Sequence, residues 1–172
     1  MTGGYSRYVG LAGSPIVSAP LDSETLRRFV QAIMDDDPAY FDTGAAKAGV
    51  TGAVAAPPLY PVHAFRRTAG TPDPLDSVAA DPNADGTAGN DGVSFGLPPI
   101  PSPYKRLLNG GNEIEFHRCL RLGERAVARA RYADVRERRG KSGPMLLVVI
   151  ETEFSTELGE LLLVNRQTLI WR

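Results

Sequence analysis

The last third of the chain contains three β-prone segments in close succession, and this feature constrains the fold most. Residues 125–136 alternate small or apolar side chains with arginine, residues 144–155 read PMLLVVIETEFS, and residues 160–172 read ELLLVNRQTLIWR. β-branched and apolar residues with a period of two are typical of strands. Because the connections are short, with a turn at Gly159, the strands are expected to pair antiparallel as a meander.

Helical periodicity comes earlier in the chain. An apolar stripe at i, i+3, i+4, i+7 and i+8 predicts a helix over residues 20–34, with Asp22 or Ser23 as its N-cap. Pro38 cannot continue such a helix, so the sequence DDDP is expected to form the helix exit. The stripe consists of Leu26, Phe29, Val30, Ile33 and Met34.

Two shorter helical segments and one further strand complete the pattern. A helical turn is expected near residues 43–48 and a second helix after the prolines of residues 57–67. The segment NEIEFHR alternates as a strand, with Ile114 and Phe116 on one face. Helices followed by an antiparallel sheet indicate an α+β fold, and residues 1–172 suffice for a single domain. The side chains expected to face inward from the second helix are Leu59, Val62, His63 and Phe65.

Residues 68–103 differ from the rest in composition, with 7 prolines and 5 glycines in 36 residues. We interpret this segment as a flap inserted into the domain, with an extended, polyproline-like end. Within it, DPNADG at residues 81–86 matches the first half of a calcium loop. Gly92 stands where that loop needs a bidentate glutamate, so a polar, turn-forming loop explains the motif better than a metal site.

Composition excludes several classes of function. The net charge of −1 argues against nucleic acid as the main partner. The single cysteine, Cys119, permits no internal disulfide, and His63 and His117 lack the spacing of metal ligands. No cofactor is implied. Without a leader peptide or a long apolar run, a cytoplasmic protein that does not enter the membrane is expected.

Charge is nonetheless uneven along the chain. Residues 1–100 carry 6 basic and 11 acidic side chains, whereas residues 101–172 carry 13 and 9. Arginines concentrate within residues 118–141. They form either the solvent face of a strand, where their stems cover apolar surface, or a phosphate-binding edge for a nucleotide-bearing ligand. The candidates for phosphate binding are Arg129, Arg131 and Arg138.

Several weak motifs follow one another in a fixed order: DDDPAYFD, GAAKAG, AAPPLYP, LNGGNEIEFHRCLRLGERAVARARYADVRER and NRQTLI. In this order they resemble the MaoC-like dehydratases, and more closely their N-terminal half-type, the FAS1-like dehydratase or hydroxyacyl dehydratase A-subunit-like branch. The resemblance covers nearly the whole chain except the flap. It implies a hot-dog fold, in which a long central helix is wrapped by a curved antiparallel β-sheet.

Active members of this family share a motif of Asp, any residue, Asn or Asp, Pro, an apolar residue and His. Its Asp and His hold a water and move protons in the reversible hydration of a trans-2-enoyl thioester. In this chain Asp35 takes the aspartate position, Asp37 and Pro38 follow the pattern, and Tyr40 stands in the histidine position. A tyrosine with a pKa near 10 is a poor base at neutral pH. The A-type branch likewise lacks the dyad and pairs with a catalytic subunit.

Three hypotheses follow from the resemblance. In the first, the chain is a non-catalytic subunit of a heteromeric (R)-specific enoyl-CoA hydratase or 3-hydroxyacyl thioester dehydratase, and a hot-dog partner supplies the Asp–His dyad. Tyr40, Tyr60, His63 and Phe65 would then line the pocket for an acyl-CoA or acyl-carrier thioester. In the second, a homodimeric hydratase uses Asp35 with another group such as His63. In the third, the chain is an acyl-CoA-binding or assembly module; a thioesterase is a weaker alternative.

Overall fold

The computed structural model describes residues 4–65, 70, 76, 79–80, 95–104, 106–140 and 143–172. Short 3₁₀ turns at Ser6–Tyr8 and Pro38–Tyr40 precede and follow the first helix. The motif at residues 81–86 lies outside the described residues, as does most of the Pro/Gly-rich segment. The helices and strands are β1 (Ile16–Val17), α1 (Ser23–Ala32), α2 (Thr43–Ala48), α3 (Tyr60–His63), β2 (Leu107–Phe116), β3 (Ala126–Gly140), β4 (Gly143–Thr156) and β5 (Leu161–Trp171).

Within the described residues, five strands form one antiparallel sheet in the order β1-β3-β4-β5-β2. The predicted meander of β3, β4 and β5 and the α+β class are therefore confirmed. Gly159 makes the turn between β4 and β5 at a φ of +85°, where its N–H donates to the carbonyl of Thr156 at 3.0 Å. Glycine adopts this left-handed conformation without a steric penalty.

Bulges interrupt the regular pairing of strands in the sheet. The register shifts between Tyr132 and Asp134 in β3, and between Asn109 and Gly111 in β2. An extra residue in one strand increases the local twist and bends that strand. We call the face that packs beneath α1 the inner face and the opposite face the outer face.

Two apolar clusters cover the inner face. The first joins Leu26 and Val30 of α1 to Phe154 and Leu163 of the sheet, all of them buried. Burying side chains of this size stabilises the fold by about 1.5–3 kcal/mol each. Phe95 packs against both clusters. The second cluster comprises Leu97, Ile100, Ala130, Tyr132, Val135, Leu146, Val148, Ile150, Leu169 and Trp171, so the end of the Pro/Gly-rich segment is part of the core.

Local differences from the predictions have clear physical causes. Asp22 caps α1 by accepting a hydrogen bond from the Thr25 N–H at 2.8 Å, and the helix ends two residues early. Leu59 is 43% exposed and His63 is also exposed, so the prediction that both face inward is wrong. Because α3 begins only at Tyr60, Leu59 precedes the helix. The buried side chains are instead Tyr60, Pro61 and Ala64, whose spacing turns His63 outward.

Candidate functional site

The end of α1 fixes the position of Asp35. The Asp35 N–H donates to the Val30 carbonyl at 3.0 Å, and the Met34 N–H donates to the Gln31 carbonyl at 3.1 Å. With Met34 at a φ of +58°, these bonds form a Schellman motif, which usually has glycine at the left-handed position. A side chain there costs about 1–2 kcal/mol, so the surrounding structure holds this turn.

A second set of hydrogen bonds brings Tyr40 back toward Asp35. The Asp37 N–H donates to Asp35 Oδ1 at 3.3 Å, and the Ala39 N–H donates to Asp37 Oδ1 at 2.9 Å. Pro38 then opens the short 3₁₀ turn, with Asp37 as its cap. The acidic run is therefore a helix exit, as predicted, and two of its carboxylates organise the backbone of the loop.

Tyr40 faces Asp35 across this loop. Burial and a hydrogen bond to the Asp35 carboxylate raise the pKa of Tyr40 to about 12. The side chain is partly buried and packs against the first apolar cluster. At neutral pH the phenol is therefore protonated and donates to Asp35, so it cannot take a proton from water as a histidine would.

Asp42, the last acidic residue of the family motif, has a structural role. Its Oδ1 accepts a hydrogen bond from the Ala45 N–H at 2.7 Å and so caps α2. Capping by aspartate typically stabilises a helix by about 1 kcal/mol. The family-like spacing between Tyr40 and Asp42 thus has a local cause, the start of the next helix.

Aromatic side chains connect α1, α3 and the sheet beside this loop. The Phe29 ring lies 5.1 Å from the Tyr60 ring and 5.6 Å from the His63 ring, measured between centroids. Phe65 packs 5.9 Å from Phe154. Tyr40 and Phe65 pack against the first cluster, to which buried Tyr60 belongs, whereas His63 is exposed and touches its edge through Phe29.

Surface depressions lie near Asp35 and near Cys119. One has a volume of about 390 Å³ and is lined by Asp35, Asp36 and the exposed side chains of Met34 and Phe41, together with Arg27 and Gln31. Cys119 lines another, of about 250 Å³, and is among the groups that act electrostatically on Tyr40. Burial raises the pKa of the Cys119 thiol, so the thiol is a weak nucleophile here.

The three arginines considered for phosphate binding lie on the outer face, away from Tyr40. Arg131 forms an ion pair with Glu151 at 2.6 Å, and Arg129 donates to the Ser155 hydroxyl at 2.9 Å. Arg138 lies farther along β3, opposite Met145. The structure therefore does not bring these arginines together with the aromatic residues of the inner face.

A row of alternating charges crosses four strands on the outer face. Glu151 accepts from Arg131 and also from Arg166 at 2.8 Å, and Arg166 lies 3.5 Å from Glu113. These residues are register partners on β3, β4, β5 and β2. We call this row the charge ladder. Burial tends to raise the pKa of Glu151, but hydrogen bonds from Arg166 and Arg131 lower it overall.

Sequence reasoning did not assign the roles that two further polar groups have in the structure. Arg118 donates to Glu124 with both of its terminal nitrogens and also contacts Glu160, which ties the end of β2 to the turn before β5. Asn165 of β5 is buried on the inner face. Its position in phase with Leu163 and Leu169 was visible in the sequence and predicts an inward asparagine.

Two features are absent from the part of the chain that the structure describes: a cluster of metal-ligating side chains and a helix able to cross a bilayer. That part contains no group of three or more histidine, cysteine, aspartate or glutamate side chains placed to hold a metal ion. None of its helices has the length and apolar character needed to cross a bilayer.

Comparisons with known proteins agree with this geometry. A model of the FAS1-like, dehydratase domain region matches residues 8–164. A UPF0336 protein of Saccharopolyspora erythraea is 26% identical over 165 residues, which cover 96% of this chain and 89% of that protein.

Solved structures of similar shape come from Mycobacterium tuberculosis. The ChsH1-ChsH2 complex matches with a TM-score of 0.65 and 20% identity, covering 93% of this chain and 83% of that chain. The HadBC complex, a 3R-hydroxyacyl-ACP dehydratase with a truncated C-terminus, matches with a TM-score of 0.61 and 20% identity, covering 95% and 96%. At this identity the likeness establishes the fold, and the expected hot-dog architecture is confirmed.

Proposed function

The chain belongs to the family of FAS1-like dehydratase domains, and from that premise we propose that it is the non-catalytic subunit of a heteromeric (R)-specific enoyl-CoA hydratase or 3-hydroxyacyl thioester dehydratase. One observation carries the proposal. Tyr40 stands where active members have histidine, and its protonated hydroxyl donates to Asp35. Hydration of an enoyl thioester needs a group that accepts a proton from water near neutral pH. A partner subunit supplies that group.

This chain contributes the wall of the acyl pocket. Tyr40, Tyr60 and Phe65 belong to or pack against one apolar cluster on the inner face, and such a surface suits an acyl chain. His63 is exposed at the edge of this group, 5.6 Å from Phe29. In this proposal, His63 borders the entrance of the acyl pocket.

The exposed edge strand β2 supports the proposal that the chain binds a partner subunit. β2 is ten residues long and, within the described residues, pairs only with β5. Phe116 on its inner side is 51% exposed, and Leu108 on its outer side is 39% exposed. A long edge strand with apolar residues favours pairing with another chain. The similar ChsH1-ChsH2 and HadBC structures are complexes, which is consistent with a hot-dog partner.

The proposal is tested by reconstitution. The chain alone is assayed for hydration of crotonyl-CoA, and then again after co-expression with a hot-dog protein that carries the complete Asp–His motif and is encoded beside it. We expect turnover only when the partner is present. Robust turnover by the chain alone would refute the non-catalytic assignment. A partner that is fully active and stable without this chain would refute its role as a subunit and favour an assembly or binding module.

The homodimeric alternative rests on Asp35, which occupies the family position for the catalytic aspartate. It predicts hydration by the chain alone and its loss on Asp35→Asn, with the oligomer intact by light scattering. The matched control is Asp36→Asn, the same change one residue along the loop. Loss with both variants would point to disruption of the loop instead.

The Tyr40→Phe variant tests whether the Tyr40 hydroxyl only donates a hydrogen bond or transfers a proton during the reaction. Removing one hydrogen bond changes the free energy by about 1 kcal/mol, so kcat of the assembled complex is expected to fall by less than about tenfold. General acid–base groups contribute about 10²–10⁴-fold. A fall of that size, with an altered pH profile of kcat, would identify Tyr40 as a catalytic acid.

A further inference from the structure

The inner face of the sheet has a polar interruption between its two apolar clusters. Thr152 of β4 and Asn165 of β5 are register partners, and both are buried, at 2% and 7% exposure. On β4, Phe154 belongs to the first cluster and Ile150 to the second. Side chains two residues apart on a strand share a face, so Thr152 and Asn165 lie between the clusters.

Asn165 has an unmet hydrogen-bonding requirement. In the described part of the chain, no donor reaches its Oδ1 atom, which is shielded from solvent. Leaving a buried acceptor unpaired is destabilising, and buried polar side chains in native proteins almost always have partners. Leucine at this position would match the apolar neighbours, so the amide needs another explanation.

The polar row formed by Thr152 and Asn165 leads to residues that are less buried toward the edge strand β2. The register partner of Asn165 on β2 is Ile114, which is only partly buried. Phe116, two residues farther along the same face of β2, is half exposed. The polar row thus continues from a closed core into a more open surface beside the first cluster, where the acyl pocket is proposed to lie.

We infer that Asn165 and Thr152 form a binding site for a hydroxyl group that lies beyond C3 on the acyl chain of the substrate. This inference rests on the proposed function and narrows the substrate class to acyl thioesters that carry such a distal hydroxyl group. A hydroxyl both donates and accepts, so it pairs with the Asn165 carbonyl oxygen while accepting from the amide or from the Thr152 hydroxyl. A plain alkyl chain leaves the amide unpaired, and such sites discriminate strongly against ligands that lack the polar group.

A buried water is the competing explanation. Internal waters usually make about three hydrogen bonds, whereas the fully buried polar side chains of this row are only Thr152 and Asn165. Gln167, the next inward residue of β5, is partly buried, and Phe154, Leu163 and Ile114 on the other sides are apolar. A ligand hydroxyl tethered to an acyl chain needs fewer polar partners, because its apolar remainder contacts the clusters.

The inference is tested by calorimetric titration of the purified protein, alone and with its partner. The probes are octanoyl-CoA and its isomers that carry one hydroxyl, on C4 through C8. At least one isomer is expected to bind about tenfold more tightly than octanoyl-CoA, the effect of one hydrogen bond. Asn165→Leu should abolish this preference while retaining affinity for octanoyl-CoA, and Thr152→Val should reduce it. Thr168→Val is the matched control, because Thr168 lies on the outer face of β5.

Each outcome has a defined meaning. Equal affinity for octanoyl-CoA and all isomers overturns the inference and leaves the proposed function intact. A preference that persists in both Asn165→Leu and Thr152→Val also overturns it, since the hydroxyl is then recognised elsewhere. Failure of every acyl-CoA to bind, with the partner present, overturns the proposed function together with the inference.

Discussion

Polar side chains differ in burial and in hydrogen-bond pairing between the outer and inner faces of the sheet. On the outer face the ladder residues Arg131, Glu151, Arg166 and Glu113 are exposed or partly buried, and each has an oppositely charged neighbour. On the inner face Asn165 is buried and its carbonyl oxygen has no donor in the described part of the chain. A paired charge already has a structural explanation, whereas an unpaired buried amide does not. Function is therefore better sought on the inner face, although the outer face is richer in arginine.

The largest effect should come from removing an inner-face aromatic side chain. Phe154→Ala deletes a fully buried ring that contacts Phe65 and Phe95. Such deletions lower the free energy of unfolding by about 3–5 kcal/mol, because they lose burial and leave a cavity. Urea unfolding followed by circular dichroism measures this loss. A loss below about 1 kcal/mol would mean that the first cluster is not the main core.

The second-largest effect should be an increase in the free energy of unfolding, caused by a change at Asn165. Asn165→Leu replaces an unpaired amide with an apolar side chain of similar volume, so the free energy of unfolding should rise by about 1–2 kcal/mol. The same urea titration checks this value in the protein without ligand. Destabilisation would show that Asn165 has a partner in solution, and the contrast between the two faces would then fail.

A smaller effect is expected from the charge ladder, which should make the free energy of unfolding depend on pH. The pKa of Glu151 is lowered in the folded chain, so its contribution is complete above the unfolded pKa of about 4.5 and is lost as the pH falls below that value. Glu151→Gln should therefore lower stability at pH 7 by about 1 kcal/mol and flatten the profile between pH 5 and 3. Glu153→Gln, two residues along the outer face, is the control. Equal effects of the two changes would contradict a specific role for Glu151.

The smallest effect is expected for Arg131→Ala. Its side chain is 52% exposed, and exposed ion pairs contribute only about 0.2–1 kcal/mol. Moderate salt should remove most of the difference from the unmodified chain. A loss larger than 2 kcal/mol, measured at low and high salt, would assign the ladder a role in the core stability of the sheet.

Local patterns were the part of the fold that could be read from the sequence. The β-prone composition of residues 144–155 indicated β4, and Thr43–Ala48 is the helical turn expected near residues 43–48. The inward side chains of α3 could not be predicted, because four residues make about one turn and show no period. The pairing of β2 with β5 is equally hidden, since about 45–65 residues separate the partners.

The candidate site was predictable only in part. The family motif placed Asp35 and Tyr40 in one loop, but the raised pKa of Tyr40, which burial and the Asp35 carboxylate cause, depends on the folded conformation of that loop. The position of the arginine candidates on the outer face could not be predicted. A period of two assigns side chains to one face of a strand but does not say which face meets the ligand. Asn165 stood out only when its burial and its missing donor were known together.

An edge strand of ten residues also affects how the chain behaves before it meets a partner. Exposed edges recruit strands indiscriminately unless charge and irregular backbone oppose this. β2 carries Glu113 and Glu115 on one side and a bulge at Gly111. These carboxylates and the bulge oppose indiscriminate pairing along β2. Under the proposed function, such an edge would disfavour self-association of surplus copies, and balanced synthesis of the two subunits would then be less critical.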